Sequence, residues 1–418
     1  VRGHLRRVAT LALVAGLVAV SCSSAVDDEA LVVGTLYPTS GAQAAGGADE
    51  ERGVRLAVDW VNAHGGVLGR SVRLERADAP RAEAVPSAMR ALRDRDVRIV
   101  IGSHGSAVSA TAAEVASRDG MVLWETGAVG EAGAAAKGGS NFFRLSPMGA
   151  NLGRSAIAFV RDQLAPKLPA TAPLRYTVAY VDDPYGRAVA KGAITEIETS
   201  GLHQADTIPY DARAADFGAL AQRVAGSRTD VLFAVSYLDD GVALRRALVA
   251  AHVPLMANIG TSSSYCHPAF GERLGGLAVG TFASDKPDES HVRAEALRPE
   301  GRRTLTWASE RYEREYGETM SAEALAGFAN GYSLFAHVLP KAGSLDPVAV
   351  ARAALDVKLA AGTLANGSGL DLAPPGAFDA GENRAAASVI WEWVAPRERA
   401  VVWPSRFATH AIEPLLNG

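Results

Sequence analysis

At 418 residues the chain exceeds what one hydrophobic core normally supports, so two domains are expected. Its 42 basic and 46 acidic residues leave a net charge of −4 with no long basic run, which removes the electrostatic basis for nucleic-acid binding. With two cysteines, Cys22 and Cys266, it has no disulfide framework.

Arg2, His4, Arg6 and Arg7 precede an apolar run from Val8 to Val20, and small residues lead to Ser21-Cys22. That is the pattern of an export signal, and the run is too short to span a bilayer. Ala19-Val20-Ser21-Cys22 resembles a bacterial lipobox, in which the cysteine becomes lipid-modified and the new amino terminus, although leucine is commoner where Ala19 stands. Residues 1–22 are therefore read as a lipoprotein signal and 23–30 as a tether. The expected product is extracytoplasmic, bound to the membrane only through a lipid on Cys22. Cys266 is then left without a partner, so stability must come from the core.

After the tether, Leu31 to Leu36 reads as a buried strand, and Val54, Ala57, Val58 and Val61 share one helix face with Asp49, Glu50 and Glu51 near its start. A strand at Val72 and Leu74 and a helix from Ala82 to Arg93 follow, with Pro86 in its first turn. Val97 to Ser106, VRIVIGSHGS, joins an apolar β-branched run to a glycine- and serine-rich turn and then a helix. Such a turn at a strand's carboxyl end is suited to holding an anionic group on helix N–H groups; glycine and serine there also serve simply as a cap. Met121 to Thr126 is another strand, Gly127 to Gly139 an Ala/Gly loop, and Asn141 to Leu145 a short strand.

The alternation then begins afresh. Helix Met148 to Gln163 leads to strand Tyr176 to Val181, helix Arg187 to Thr199, a strand around Thr207 to Tyr210, helix Phe217 to Val224, strand Val231 to Ser236, helix Gly241 to Ala251 and strand Leu255 to Ile259. Leu277 to Ser284 adds a strand, Thr304 to Tyr316 and Ala322 to Leu339 are helices, and SVIWEWV with AVVWPS predicts an antiparallel hairpin. Two separate β/α series predict an α/β protein of two lobes with parallel, doubly wound sheets. The division expected is 31–146 plus 278–365 for lobe 1 and 147–277 plus 366–418 for lobe 2.

No nucleophile elbow, phosphate loop, HExxH or CxxC pattern occurs, and no nucleophile stands beside a base, so no enzymatic chemistry and no metal or cofactor is expected. His104 reads as a turn residue and Cys266 as a structural thiol. What remains is a set of loops after strands: Tyr37 to Gly41, Ser103 to Ser106, Glu125 to Val129, Asp182 to Gly186, Tyr237 to Asp240 and Thr261 to Tyr265. Hydroxyls, tyrosine rings and carboxylates converging on a cleft suit a small zwitterion.

From about Leu31 to Trp403 the chain resembles the type I periplasmic binding proteins that feed branched-chain amino acid ABC importers, the leucine/isoleucine/valine-binding family. The resemblance rests on VVGTLYPTSGAQAAGGADEERGVRLAVDWVNAHGGVLGR, on IVIGSHGSAVSATAAEVA followed by VLWETGA, on VAYVDDPYGRAVAKGA and on YLDDGVALRRAL. It implies two Rossmann-like lobes joined by a three-crossover hinge, closing on a small-molecule ligand that is handed to an ABC permease; the chain is expected to be a monomer. Carried over by position, the family's first-lobe serine falls on Ser106 or Ser103, its backbone contacts on Gly127 and Ala128, and its second-lobe tyrosines on Tyr185 and Tyr237. Where the family often places an acidic residue after the strand ending at Ile259, this chain has Gly260-Thr261-Ser262-Ser263-Ser264.

The expected grip is therefore Ser106 and the Ala128 backbone on a carboxylate, Tyr185 and Tyr237 as walls, and Asp239, Asp240 or Glu125 on the cationic end. Tyr37, Ser103, Gly127, Thr261 and Ser262 complete the candidate set. An amide, a urea or an aromatic acid, as some family members bind, would also suit a hydroxyl-rich site. A ligand-sensing subunit built on the same body is an open alternative to transport.

Overall fold

The structure is a computed structural model describing residues 30–41, 43–131, 141–377 and 379–413. Cys22, the signal, nearly all of the tether and the Ala/Gly loop beyond Glu131 lie outside the described residues. The first β/α series runs β1 (Leu31–Tyr37), α1 (Ala44–Ala63), β2 (Val72–Asp78), α2 (Val85–Arg93), β3 (Ile99–Gly102), α3 (Ser106–Asp119), β4 (Val122–Glu125) and β5 (Phe142–Arg144). Its strands form a 5-stranded sheet in the order β2-β1-β3-β4-β5, with every pairing parallel. All residues of IVIG in β3 and VLWE in β4 are buried, as a strand covered on both faces requires.

The second series runs α4 (Gly149–Phe159), β6 (Arg175–Val181), α5 (Pro184–Thr199), β7 (His203–Tyr210), α6 (Phe217–Gly226), β8 (Val231–Val235), α7 (Leu238–Ala250), β9 (Ala257–Thr261), α8 (Pro268–Leu274) and β10 (Phe282–Asp285). The chain then returns to the first lobe. There α9 (Pro299–Tyr316), α10 (Ala322–Tyr332) and α11 (Pro347–Asp356) pack Phe328 and Val350 into one core with Val54, Ile101 and Trp124. It ends on β11 (Val389–Ala395) and β12 (Glu398–Trp403), the expected antiparallel hairpin. The second sheet is 7-stranded in the order β12-β11-β10-β9-β8-β6-β7, and its core gathers Val178, Phe233, Ile259 and Trp391.

Two boundaries fall later than the sequence predicts. β10 pairs with β9 and β11, so the crossing lies after Asp285 and not at 278. Leu370 and Leu372 pack in the first core, so the last crossing also comes after 365. At that crossing the fully buried Arg144 guanidinium donates to Glu382 Oε1 at 2.9 Å, and the Arg144 N–H donates to the Gly381 carbonyl at 2.8 Å. These bonds tie the end of β5 to the returning chain.

Two helices also begin earlier than their apolar spacing suggests. The Asp183 side chain accepts the Gly186 N–H at 2.8 Å, which starts α5 at Pro184, and α7 starts at Leu238 directly after Tyr237. Tyr185, Asp239 and Asp240 therefore sit on first helical turns rather than in loops, and this decides where their side chains go. Among the described residues no helix is long and apolar enough to cross a membrane.

The sheet orders place the site. In the first sheet the order reverses between β1 and β3; in the second it reverses between β6 and β8. Crevices open at the carboxyl ends of such strand pairs, and there stand Tyr37 and the Ser103–Ser106 turn in one lobe, Tyr185 and Tyr237 in the other.

α1 reaches the crevice by a close crossing with α10. A Cβ on Gly53 would stand 1.9 Å from the Ala324 carbonyl, and one on Gly327 would stand 2.0 Å from the Glu50 carbonyl. Gly327→Ala is therefore expected to cost about 1–3 kcal/mol of stability by overpacking, read as a lower denaturation midpoint. Gly226→Ala, at the end of α6 with nothing within 4 Å of its Cβ, is expected to be neutral or slightly stabilising.

Candidate functional site

β3 and β4 lie side by side, with Ile101 opposite Trp124, so the turn after β3 meets the end of β4. Glu125 ends β4 fully buried, and its carboxylate turns into that junction. Its Oε1 accepts N–H groups from Ser103 and Gly127 at 2.9 Å and from Ala128 at 2.8 Å, and its Oε2 accepts the Ser103 hydroxyl at 2.9 Å. The backbone nest expected to receive a ligand's carboxylate is thus occupied by the chain's own carboxylate.

Ser106 begins α3, and its Oγ accepts the Gly130 N–H at 3.0 Å, leaving its O–H free to donate. Tyr37 is buried, with its hydroxyl 2.6 Å from Thr126 Oγ1. Burial, with Glu50 adding to it, raises the Tyr37 pKa well above the phenol range.

Beside the nest stands a second carboxylate. Glu50, on α1, is fully buried against Gly127, where a Cβ would stand 2.1 Å from its Oε2. Its Oε2 lies 2.7 Å from His104 Nδ1, while its Oε1 is buried with no hydrogen-bond partner. His104 takes a left-handed φ of 69° in the turn after β3, which carries its ring back onto α1. Burial works against the charged imidazole, but the hydrogen bond and charge of Glu50 outweigh it and raise its pKa.

The second lobe contributes an aromatic pair. The Tyr185 and Tyr237 rings lie 5.3 Å apart at 37°. The Tyr185 hydroxyl bonds Thr261 Oγ1, with Ser262 and Ser263 beside it, and burial pushes its pKa up to about 12. The half-buried Tyr237 donates its O–H to Asp183 Oδ2 at 2.7 Å, so one aspartate both starts α5 and orients the ring.

Asp285 and Lys286 follow at the end of β10, 2% and 6% exposed. Burial pushes the Asp285 carboxyl up to about 7, against the pull of Lys286. Burial opposes the Lys286 ammonium, but Glu50, Glu323 and Asp285 together raise its pKa. Glu323, on the first turn of α10, is held below the usual carboxylate range by Lys286 and His104 in spite of its burial. Among the described residues no group of three His, Cys, Asp or Glu side chains is placed to hold a metal ion.

Known proteins share this architecture. Residues 30–386 match the family model described as periplasmic binding protein. The chain belongs to that family. The Leu/Ile/Val-binding protein homolog 7 of Brucella melitensis is 28% identical to this binding protein over 370 residues, covering 88% of this chain and 89% of the relative. The leucine-binding protein LivK of Thermotoga maritima shares the fold with a TM-score of 0.74 at 17% identity, covering 89% of this chain and 97% of the other. A solute-binding protein of R. palustris in complex with benzoate does so with a TM-score of 0.69 at 17% identity, covering 93% and 99%.

In this binding protein the candidate residues separate into groups. Ser103, Glu125, Gly127 and Ala128 are bonded to one another, so the Ala128 N–H expected to meet a ligand carboxylate is bonded to Glu125 instead. Asp239 corrects the expectation directly: its side chain is 92% exposed and paired with Arg273 at 2.6 Å, away from the crevice. Asp240 is buried but accepts the Tyr210 hydroxyl at 2.5 Å; burial raises its pKa to about 6. Cys266 is a buried free thiol, its pKa raised by burial and by Asp285.

Sequence reading missed Glu50, Lys286, Asp285 and Glu323. An acid near a helix start looks like dipole compensation. Only a topology bringing the starts of α1 and α10 to the strand ends of both sheets gathers them.

Glu125→Ala would leave the N–H groups of Ser103, Gly127 and Ala128 buried and unpaired, at an expected cost of about 3 kcal/mol. Acetate or formate should then raise the variant's melting midpoint in a concentration-dependent way by refilling the nest, and leave the unsubstituted protein unmoved. Equal responses from the two proteins would contradict this account of the nest.

Proposed function

We propose that this chain is the extracytoplasmic solute-binding subunit of an ABC importer. It captures a small polar solute, an amino acid or a close relative, between the lobes and hands it to a membrane permease. It acts as a monomer held to the outer face of the membrane by a lipid on Cys22. Binding is its whole chemistry.

The observation that carries this reading is the meeting of the two switch points. The loop after β4 touches the start of α5: a Cβ on Gly130 would stand 3.2 Å from the Pro184 carbonyl, and Glu131 pairs with Lys191 at 2.6 Å. Ser106 from one lobe and the Tyr185–Tyr237 pair from the other therefore border one gap. Closure about the chain crossings would exclude water and strengthen polar contacts inside it. The relatives' names support the solute class: one is called a Leu/Ile/Val-binding protein homolog, one a leucine-binding protein, and one holds benzoate.

A thermal-shift screen with amino acids, amides and aromatic acids tests the reading. A bound solute at a hundred times its Kd should add about 2.7 kcal/mol of stability. Tyr237→Ala should weaken that solute at least tenfold with little change in the unliganded midpoint, because the ring is only half-buried. Tyr185→Ala should lower both, since Tyr185 is buried and bonded to Thr261. A protein whose midpoint answers to none of these solutes, or whose response survives both substitutions, would contradict the reading.

A further inference from the structure

The strap that crosses between the lobes from β10 to α9, residues 286–298, is fastened to both of them by interleaved residues. Glu289 and Val292 belong to the first lobe: Met320, in that lobe's core, donates its N–H to Glu289 Oε2 at 2.6 Å, and Val292 is buried in the same core. Asp288 and His291 face the second lobe's terminal hairpin. Asp288 Oδ2 accepts from the Arg399 guanidinium at 2.7 Å, and the His291 ring stands edge-on to Trp391 at 4.5 Å. The turn Glu289–His291 is therefore a joint, at whose end two neighbouring residues, His291 and Val292, are held by different lobes.

Both ring nitrogens of His291 are met by acceptors. Nδ1 lies 2.7 Å from Asp288 Oδ1, and Nε2 lies 2.8 Å from the Arg399 carbonyl. A carbonyl cannot donate, and Asp288 already accepts an Arg399 N–H on its other oxygen, so each ring nitrogen has to supply a proton. Only the imidazolium carries two; a neutral imidazole gives up one of the bonds. The side chain is 19% exposed, which leaves a path for its proton to solvent. The other charged groups at the joint have partners of their own: Glu289 is bonded to Met320, Arg293 donates to the Ala408 carbonyl at 3.0 Å, and the Arg399 guanidinium lies over the Trp391 ring and donates to the Cys266 carbonyl as well as to Asp288. Beyond that guanidinium lie the Cys266 thiol and the Asp285 carboxyl, both raised in pKa by burial.

We infer that His291 is a proton-operated lock on this joint, acting on the lobe closure that the solute-binding reading above requires. While charged, it fastens the strap to the β11–β12 hairpin at the Arg399 carbonyl and holds the lobes in the present arrangement, with the loop after β4 against the start of α5. Loss of the proton releases that bond, the strap turns more freely about Glu289–His291, and the lobes part more often. Acidity thus favours the shut arrangement and rising pH the open one.

The test needs no solute. Small-angle X-ray scattering of the full chain, at about pH 5.5 and about pH 8.5, reads the lobe separation on either side of the range in which histidines titrate. The unsubstituted protein should have the larger radius of gyration at the higher pH. His291→Ala, which has no bond to release, and His291→Gln, whose amide does not titrate, should both lose that response. Asp285 is untouched in either variant, so a response that it caused would survive them. In ¹⁵N spectra of histidine-labelled protein, the His291 signals, identified by their absence from the variants, should show both ring nitrogens protonated at the lower pH. A radius unmoved by pH in the unsubstituted protein, a response that survives both substitutions, or a His291 ring with a single proton at the lower pH overturns the lock, and each of these leaves solute binding intact.

Discussion

The seating of the Glu125 carboxylate among the N–H groups of Ser103, Gly127 and Ala128 is the constraint on which the crevice depends. A buried carboxylate is tolerable only when its lone pairs are met, and those that meet it come from the ends of two neighbouring strands. The bond set therefore fixes the turn after β3 relative to the loop after β4. With both held, the start of α3 and the segment running to Gly130 have fixed positions, and Ser106 is tied to the latter by the Gly130 N–H. The first-lobe surface is formed before any solute arrives, so little ordering is left to oppose binding.

That arrangement has an electrostatic consequence. A carboxylate in the nest and a second one, Glu50, against Gly127 make the first lobe's face anionic. His104 compensates part of it, and Lys286 from the opposite lobe raises the count of positive groups at the junction. Attraction between Lys286 and the acids of the first lobe works across the gap, so the cluster favours approach of the lobes.

Most of the architecture was legible in the amino-acid order, because strand and helix alternate with clear apolar periods and each β/α turn has its own glycine, serine or aspartate. The terminal hairpin announced itself through alternating aromatic residues, and its antiparallel pairing follows. Boundaries were harder. Phe282–Asp285 was assigned to the wrong lobe because nothing local in a short apolar strand says which sheet it joins. Asp239 was misplaced because α7 begins before the apolar spacing becomes visible, and its first turn aims Asp239 at Arg273 on the outside. Glu125 was expected to take a solute's cationic end, but a carboxylate beside a backbone nest can fill it or stay clear of it, and spacing alone does not decide. That Glu50 would come near enough to act on the Lys286 charge could not be read from the chain, since it depends on the chain crossings between lobes and on glycine contacts between α1 and α10.

The most direct test of this account is a crystal structure of the protein with its solute bound between the lobes. Glu125 should remain on the Ser103, Gly127 and Ala128 N–H groups, with the solute between Ser106 and the Tyr185 and Tyr237 rings. A solute carboxylate seated in that nest, with Glu125 swung out of it, would contradict the account.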